Sequence, residues 1–146
     1  MSRVLLVWKR ATKAAALWRG FLDSASKFPD HHALLVENTH LTYAQLAEQA
    51  QRIAATIQAQ ERGDAPPLTA VFAYRSATAF VGVLGSLLAG HGYVPLNRTF
   101  PVERTRTMLQ RSGARTVVGD RTSMPQLARM LDAIPGGLIA IHPAHA

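Results

Sequence analysis

The chain has 146 residues, 48% of them hydrophobic and 17% charged, a composition that excludes intrinsic disorder and is typical of one folded domain. It contains no cysteine, which excludes disulfides and thiolate metal sites and is consistent with a reducing, cytoplasmic location. Sixteen Lys and Arg against nine Asp and Glu make it basic, so nucleic acid is a partner class to consider.

Residues 1–13 are predicted to form a basic extension. Its apolar run, Val4–Trp8, is shorter than the core of a secretory signal and ends at two basic residues. A basic start without acids is also typical of an organellar transit peptide, and this alternative stays open. The longest other apolar stretch, Ala77–Gly90, is too short to span a bilayer, so we expect a soluble protein.

Hydrophobic periodicity and turn residues predict an alternation of helices and strands. Helices are predicted over residues 14–26, from Thr42 to about Gln60, over about 77–89, over 101–112 and over 124–133. Strands are predicted over residues 33–36, 41–43, 68–73, 93–96, 116–118 and 138–141, and residues 142–146 are predicted to form a loose tail. The first two strands are expected to pair as a small hairpin.

Several residues mark the predicted helix ends. Thr42 followed by Gln45 matches a capping box, and Ser76 is placed to cap the third helix. Gly90 and Gly113 are predicted to end the third and fourth helices.

Two further glycines, Gly82 and Gly85, lie inside the third helix, where each costs roughly 1 kcal/mol relative to alanine. They predict close packing of this helix against the sheet. The regular alternation of strand and helix predicts right-handed crossovers. The expected fold class is therefore three-layer α/β, with a largely parallel sheet flanked by helices on both faces.

The residues themselves predict no active site. No G-x-x-x-x-G-K-[ST] phosphate loop occurs, and the glycines of the third helix do not follow a strand as a dinucleotide fingerprint would. His91, between two glycines, is interpreted as part of a tight turn rather than as an acid or base. The other serines and histidines that we considered lack a G-x-S-x-G turn or the additional ligands of a metal site; they are Ser76, Ser86, His31, His32, His142 and His145. We predict no catalytic, cofactor-binding or metal-ligating residue.

Two short motifs resemble those of a known family. Residues Leu41–Leu46, Leu-Thr-Tyr-Ala-Gln-Leu, resemble the first core motif of the adenylate-forming (AMP-binding) ligases, with Gln45 in place of the usual glutamate. Residues Leu87–Asn97 resemble the second motif, Leu-x-Ala-Gly-x-x-Tyr-Val-Pro-Leu-Asp. Here Asn97 replaces the aspartate and His91 replaces a residue that is ordinarily small.

The likeness extends over most of the chain, from Leu17 to Arg121, and continues through Pro101–Arg104 and Leu109–Ala114. The second motif is most similar to that of amino-acid adenylation domains of nonribosomal peptide synthetases, and less to that of acyl-CoA synthetases. The resemblance implies that residues 14–141 form an incomplete first subdomain of the ligase N-terminal domain, with 142–146 as a tail.

The resemblance implies an N-terminal fragment of an ATP-dependent ligase that converts a carboxylate into an acyl- or aminoacyl-adenylate. A complete family member uses Mg-ATP and passes the acyl group to a phosphopantetheine thiol. The groups that hold the phosphates and the catalytic lysine lie downstream of both motifs in the family. We therefore expect this chain to be inactive alone, to bind no cofactor itself and to have the rest of the parent ligase as partner.

Two alternatives stay open. The chain could be a non-catalytic remnant that docks a partner through Leu87–Asn97 or an open sheet edge, such as the small MbtH-like activator or carrier protein that the family implies. It could also contact nucleic acid through the arginines of 98–121, although Phe100 is the only aromatic residue among them. An incomplete sheet would leave a strand edge uncovered, which predicts self-association and weakly cooperative unfolding of the isolated chain.

Overall fold

The computed structural model describes residues 17–61, 63, 65–130, 134 and 136–145. The basic extension and its apolar run lie outside these residues. Along the described chain the elements are, in order, α1 (Arg19–Lys27), β1 (His32–Val36), β2 (Thr39–Thr42), α2 (Tyr43–Ala59), β3 (Leu68–Phe72), α3 (Ala77–Leu88), β4 (Gly92–Leu96), α4 (Val102–Ser112), β5 (Thr116–Gly119), α5 (Met124–Ala128), β6 (Ile139–Ile141) and a 3-10 turn (Pro143–His145).

The strands form two separate sheets. β1 and β2 pair antiparallel as the expected hairpin. The other four strands are all parallel, in the spatial order β4-β3-β5-β6. β3 and β5 are the inner strands and are buried almost throughout, as expected for parallel strands that are covered on both faces. β4 lies at an edge, where Pro95, which has no N–H, is tolerated.

Alternating side chains of the inner strands belong to two apolar clusters, which lie on opposite faces of the sheet. Phe72 and Val117 pack with residues of α4 and α5, including Leu109 and Leu127. Val118, the neighbour of Val117, packs instead with residues of α2 and α3 and with the hairpin. The three-layer α/β prediction is therefore confirmed.

Local signals set several helix ends as the sequence predicted. The Thr42 Oγ1 accepts from the Gln45 N–H at 3.3 Å, and the Gln45 Oε1 accepts from the Thr42 N–H at 2.9 Å, which completes the capping box. Gly90 and Gly113 adopt positive φ angles of 86° and 68° just beyond α3 and α4. These glycines end the two helices because glycine, which has no Cβ, adopts the left-handed conformation without a steric penalty.

Three other predictions differ from the structure. The Ser76 hydroxyl makes no capping hydrogen bond to α3, because it donates to Asp120 instead. α5 ends at Ala128, earlier than predicted, and residues 131–133 of the predicted helix lie outside the described ones. The tail contains a 3-10 turn, in which the Ala144 N–H donates to the His142 Nδ1 at 3.2 Å.

The two helical glycines have different neighbours. A Cβ on Gly82 would lie 3.1 Å from the Val71 side chain and 3.2 Å from Val118, so this glycine faces the sheet as predicted. A Cβ on Gly85 would lie 2.5 Å from the Ile53 Cγ2 and 3.0 Å from the Ala50 carbonyl oxygen. Gly85 therefore lets α3 approach α2 rather than the sheet.

We expect Gly85→Ala to lower the free energy of unfolding by about 2 kcal/mol, because the added methyl group must push α2 and α3 apart. This cost exceeds the helix-propensity gain of roughly 1 kcal/mol. The matched control is Gly20→Ala in α1, where a Cβ meets nothing within 4 Å and stability should be unchanged or slightly higher. Urea unfolding measures both; equal stability of the two variants would contradict the close helix contact.

Candidate functional site

The order of the parallel strands defines where a ligand site is expected. The chain runs from β3 outward to β4, then returns to place β5 on the other side of β3. In open α/β sheets, ligands bind in the crevice that such a reversal leaves outside the carboxyl ends of the strands. Here the crevice lies between the residues that follow β3 and those that follow β5.

Asp120 spans this crevice. Its Oδ2 accepts hydrogen bonds from the Tyr74 N–H at 3.1 Å and the Ser76 hydroxyl at 2.9 Å, both in the loop after β3. Its Oδ1 accepts from the Ser123 N–H at 2.8 Å. One buried carboxylate therefore ties together the two loops on either side of the reversal.

These donors also determine the ionisation of Asp120. Burial raises the pKa of the carboxyl, but hydrogen bonds from Ser123, the Tyr74 N–H and the Ser76 hydroxyl lower the pKa by more. The buried Ser123 Oγ itself has no hydrogen-bond partner in the described chain, so we take the Ser123 N–H as the donor. The net result is a pKa below the ordinary 3.8, and Asp120 is a carboxylate at neutral pH.

Arginine side chains gather beside the same crevice. The guanidinium carbons of Arg75 and Arg98 each lie 5.4 Å from the centroid of the Tyr74 ring. Arg75 has a φ of 48°, a left-handed backbone that non-glycine residues rarely adopt. Tyr74 and Arg75 follow β3, whereas Arg98 follows β4. The Tyr74 ring is therefore in contact with arginine side chains from the ends of two neighbouring strands.

A second polar cluster lies at the opposite, amino end of the sheet. His91 is buried, and its Nδ1 lies 2.9 Å from the Thr69 Oγ1 on β3. Its Nε2 lies 3.8 Å from the Glu61 Oε1, within ion-pair reach but too far for a hydrogen bond. His91 and Glu61 line an open depression, of about 300 Å³ including solvent space, that Pro66 and Arg115 also border.

Burial decides the charge of His91. Burial lowers the pKa of the imidazole, while the nearby Glu61 carboxylate raises it by less, so the net pKa lies below 6.5. A neutral imidazole fits the contacts, because the Thr69 hydroxyl can donate to Nδ1 or accept from it. The structure therefore places His91 in a buried turn after α3, as interpreted from the sequence.

The other polar residues weighed in the sequence do not come together as a site. His31 and His32 are exposed, and the Ser86 hydroxyl donates to the Gly82 carbonyl oxygen within α3. In the described part of the chain, no three His, Asp or Glu side chains are grouped as metal ligands. Nor does any described helix combine the length and apolarity needed to cross a bilayer. The side chain of His145 lies outside what the structure describes.

Sequence reasoning missed Asp120 and Tyr74. The sequence does carry a signal for both, since each is a polar residue close behind a buried strand, at the edge where α/β ligands bind. What the sequence does not show is that they are hydrogen bonded to each other across 46 residues.

Residues 21–142 match the family model described as AMP-binding enzyme, with the sheet, both helical layers and the crevice inside the matched region. The chain belongs to the AMP-binding enzyme family. It corresponds to the N-terminal part of an adenylation domain, since its relatives include nonribosomal peptide synthetases. Tyrocidine synthase 3 of Brevibacillus parabrevis is 36% identical over 115 residues, which is 79% of this chain and 2% of the synthase.

Solved structures of the family superpose on the chain. The nonribosomal peptide synthetase FmoA3 is 26% identical with a TM-score of 0.77, covering 98% of this chain and 15% of its own. NpsA-ThdA, an artificially fused adenylation–PCP di-domain from Klebsiella oxytoca, is 27% identical with a TM-score of 0.64, covering 85% of this chain and 22% of its own. The chain thus spans between 2% and 22% of the length of these three relatives.

Asp120→Asn should lower the free energy of unfolding at pH 7 by about 2 kcal/mol, because hydrogen bonds to a charged acceptor are lost in a buried place. The lowered pKa means that the carboxylate stabilises the fold above pH 3.8 and that this contribution is lost as the pH falls through the folded value. The difference from wild type should therefore shrink in acid. Ser76→Ala, which removes one donor to Asp120, should lower the free energy of unfolding by about 1 kcal/mol. Urea unfolding of the wild type and both variants at pH 7 and pH 3 measures these differences. A loss of stability in Asp120→Asn that is the same at both pH values would contradict the proposed role of the carboxylate.

His91 predicts a second pH dependence. Because its folded pKa lies below 6.5, the unfolded chain binds the proton more readily and stability should fall as the pH drops below 6.5. Glu61→Gln removes the group that raises the pKa, so the fall between pH 7 and pH 5 should steepen. His91→Gln should make the stability less dependent on pH over this range. Urea unfolding of each protein at pH 7 and pH 5, together with an NMR titration of His91, tests both expectations. An unchanged slope in Glu61→Gln would show that the carboxylate does not act on His91.

Proposed function

We propose that this chain supplies the N-terminal part of an ATP-dependent ligase that activates a carboxylate as an acyl- or aminoacyl-adenylate and releases pyrophosphate. The observation that carries the proposal is the family match over residues 21–142, with relatives among nonribosomal peptide synthetases. Mg-ATP would be a substrate, and a phosphopantetheine thiol would receive the acyl group.

Within such an enzyme, the chain's contribution is positional. The four parallel strands present three loops along one edge, and Asp120 holds two of these loops at a fixed distance. The sequence contains no G-x-x-x-x-G-K-[ST] loop, and we assign no described side chain to nucleophilic or acid–base chemistry. The described residues offer no cluster of metal ligands, so we derive no step through a metal held by this chain. The chain alone is proposed to be inactive, and the reaction to take place in the cytoplasm, where ATP is available.

A segment exchange tests the proposal. Residues 17–145 would replace the corresponding region in the adenylation domain of tyrocidine synthase 3 that they match. We expect ATP–pyrophosphate exchange that depends on the amino acid which that domain activates, because the two sequences are 36% identical over 115 residues. The isolated 146-residue chain should show no exchange above background.

Two controls make the outcome interpretable. The unmodified parent domain gives the reference rate, and a parent lacking the segment gives the background. Thermal unfolding establishes that the exchanged protein is folded. A folded exchanged protein with background activity only would overturn the proposal, as would exchange by the isolated chain.

A second proposal concerns partners. β4 is an edge strand and Tyr93 is 42% exposed, so part of Leu87–Asn97 is accessible to another protein. We propose that this surface docks a small MbtH-like activator, and that a carrier protein is a further partner, as the similar fused adenylation–PCP protein suggests. The open edges are also proposed to let isolated chains self-associate. Adding an MbtH-like protein to the exchanged domain, with Tyr93→Ala as the comparison, tests the first of these partners.

A further inference from the structure

We propose that Arg75, Tyr74 and Arg98, the arginine clamp, bind a phosphate-bearing ligand at the carboxyl edge of the sheet. The inference rests on the proposed function for where this ligand comes from, a nucleotide or a phosphopantetheine acceptor. The existence of the clamp rests on geometry alone.

The clamp is partly ordered before any ligand binds. Each guanidinium carbon is 5.4 Å from the same ring centroid, so the two carbons lie within 10.8 Å of each other, twice that distance. A cation over an aromatic face is held by the ring quadrupole, which restricts both long side chains. The backbone that carries the ring is itself anchored, because the Tyr74 N–H donates to Asp120. Ligand binding therefore has less side-chain entropy to remove than at two unrestrained arginines.

The charge of the clamp is not neutralised locally. Neither Arg75 nor Arg98 makes an ion pair or a side-chain hydrogen bond to another residue in the described ranges. Asp120, the carboxylate at the same crevice, already accepts from two amides and one hydroxyl. Two like charges held near one ring repel each other, and an anion between them reverses the sign of that interaction.

The chemistry of guanidinium favours phosphate as the anion. Arginine presents several N–H donors in a planar fork, which matches the oxygen atoms of phosphate, so each of the two arginines can bind one phosphoryl group of a diphosphate. The position agrees, because the clamp residues follow β3 and β4 at the edge where ligands of α/β sheets bind. A further exposed arginine, Arg121, follows β5 at the same edge.

Titration of the full 146-residue chain with inorganic pyrophosphate, followed by calorimetry or NMR shifts, tests the clamp. Arg75→Gln and Arg98→Gln should each weaken binding by about tenfold, because each removes one fork. The matched control is Arg111→Gln, which changes the net charge equally but lies in the last turn of α4, and should weaken binding by less than twofold. Tyr74→Phe should retain binding, since the ring remains, whereas Tyr74→Ala should weaken it.

Ligand arms identify the source of the phosphate. Tighter binding of ATP than of 4′-phosphopantetheine would indicate the nucleotide, the reverse would indicate the acceptor, and pantetheine, which has no phosphate, should not bind. If Arg111→Gln weakened pyrophosphate binding as much as Arg75→Gln and Arg98→Gln do, the effect would be due to net charge alone, and the clamp would be overturned. Binding of a DNA oligonucleotide that is tighter than pyrophosphate and insensitive to Arg75→Gln would overturn it in favour of a nucleic-acid surface.

The two proposals fail separately. Pyrophosphate binding is measured on the isolated chain and needs no catalysis, whereas the segment exchange measures catalysis in a complete domain. An active exchanged protein with no clamp binding would overturn the clamp alone, and clamp binding with an inactive exchanged protein would overturn the proposed ligase function alone.

Discussion

The burial of β3 and β5 on both faces is the constraint on which the rest of the molecule depends. Parallel strands cannot leave a face in water without exposing apolar side chains, so each face must receive its own layer of helices. Val117 and Val118 show how this works, since these neighbours pack into different clusters on opposite sides. Because the helices must reach both faces, the chain has to reverse direction around β3, and that reversal creates the crevice.

The reversal also explains why a buried carboxylate lies beside the crevice. Where two strands diverge, the backbone N–H groups of the following loops have no ladder partner and must be satisfied in another way. Asp120 accepts from the amides of Tyr74 and Ser123, and its negative charge strengthens both hydrogen bonds. The hydrogen bond from Tyr74 also fixes the backbone position of this residue, whose ring lies beside Arg98. A requirement of the fold, satisfying amides at a reversal, thereby fixes the geometry of the candidate site.

The sequence predicted features that depend on neighbours in the chain and missed those that depend on distant ones. The Thr42 capping box is a contact over three residues, and a positive φ at Gly113 follows from its place after a helix. The partner of Gly85 is Ile53 on another helix, which periodicity alone does not reveal, and the sheet was expected instead. Ser76 was assigned to its own helix because the competing acceptor, Asp120, lies 44 residues away. The candidate site consists mostly of such distant contacts.

The two ends of the sheet hold ionisable groups in opposite states, because the balance between burial and the neighbouring polar groups differs at Asp120 and at His91. At the carboxyl edge, three donors converge on Asp120 and outweigh the cost of burying a charge, so the carboxylate stays ionised. At the amino end, His91 follows the C-terminus of α3 and faces Glu61, both of which favour a cation. Burial nevertheless outweighs them, because it has the largest effect on the pKa of His91 and disfavours the cation. Asp120 therefore stays charged at the carboxyl edge of the sheet, whereas His91 stays neutral at the amino end.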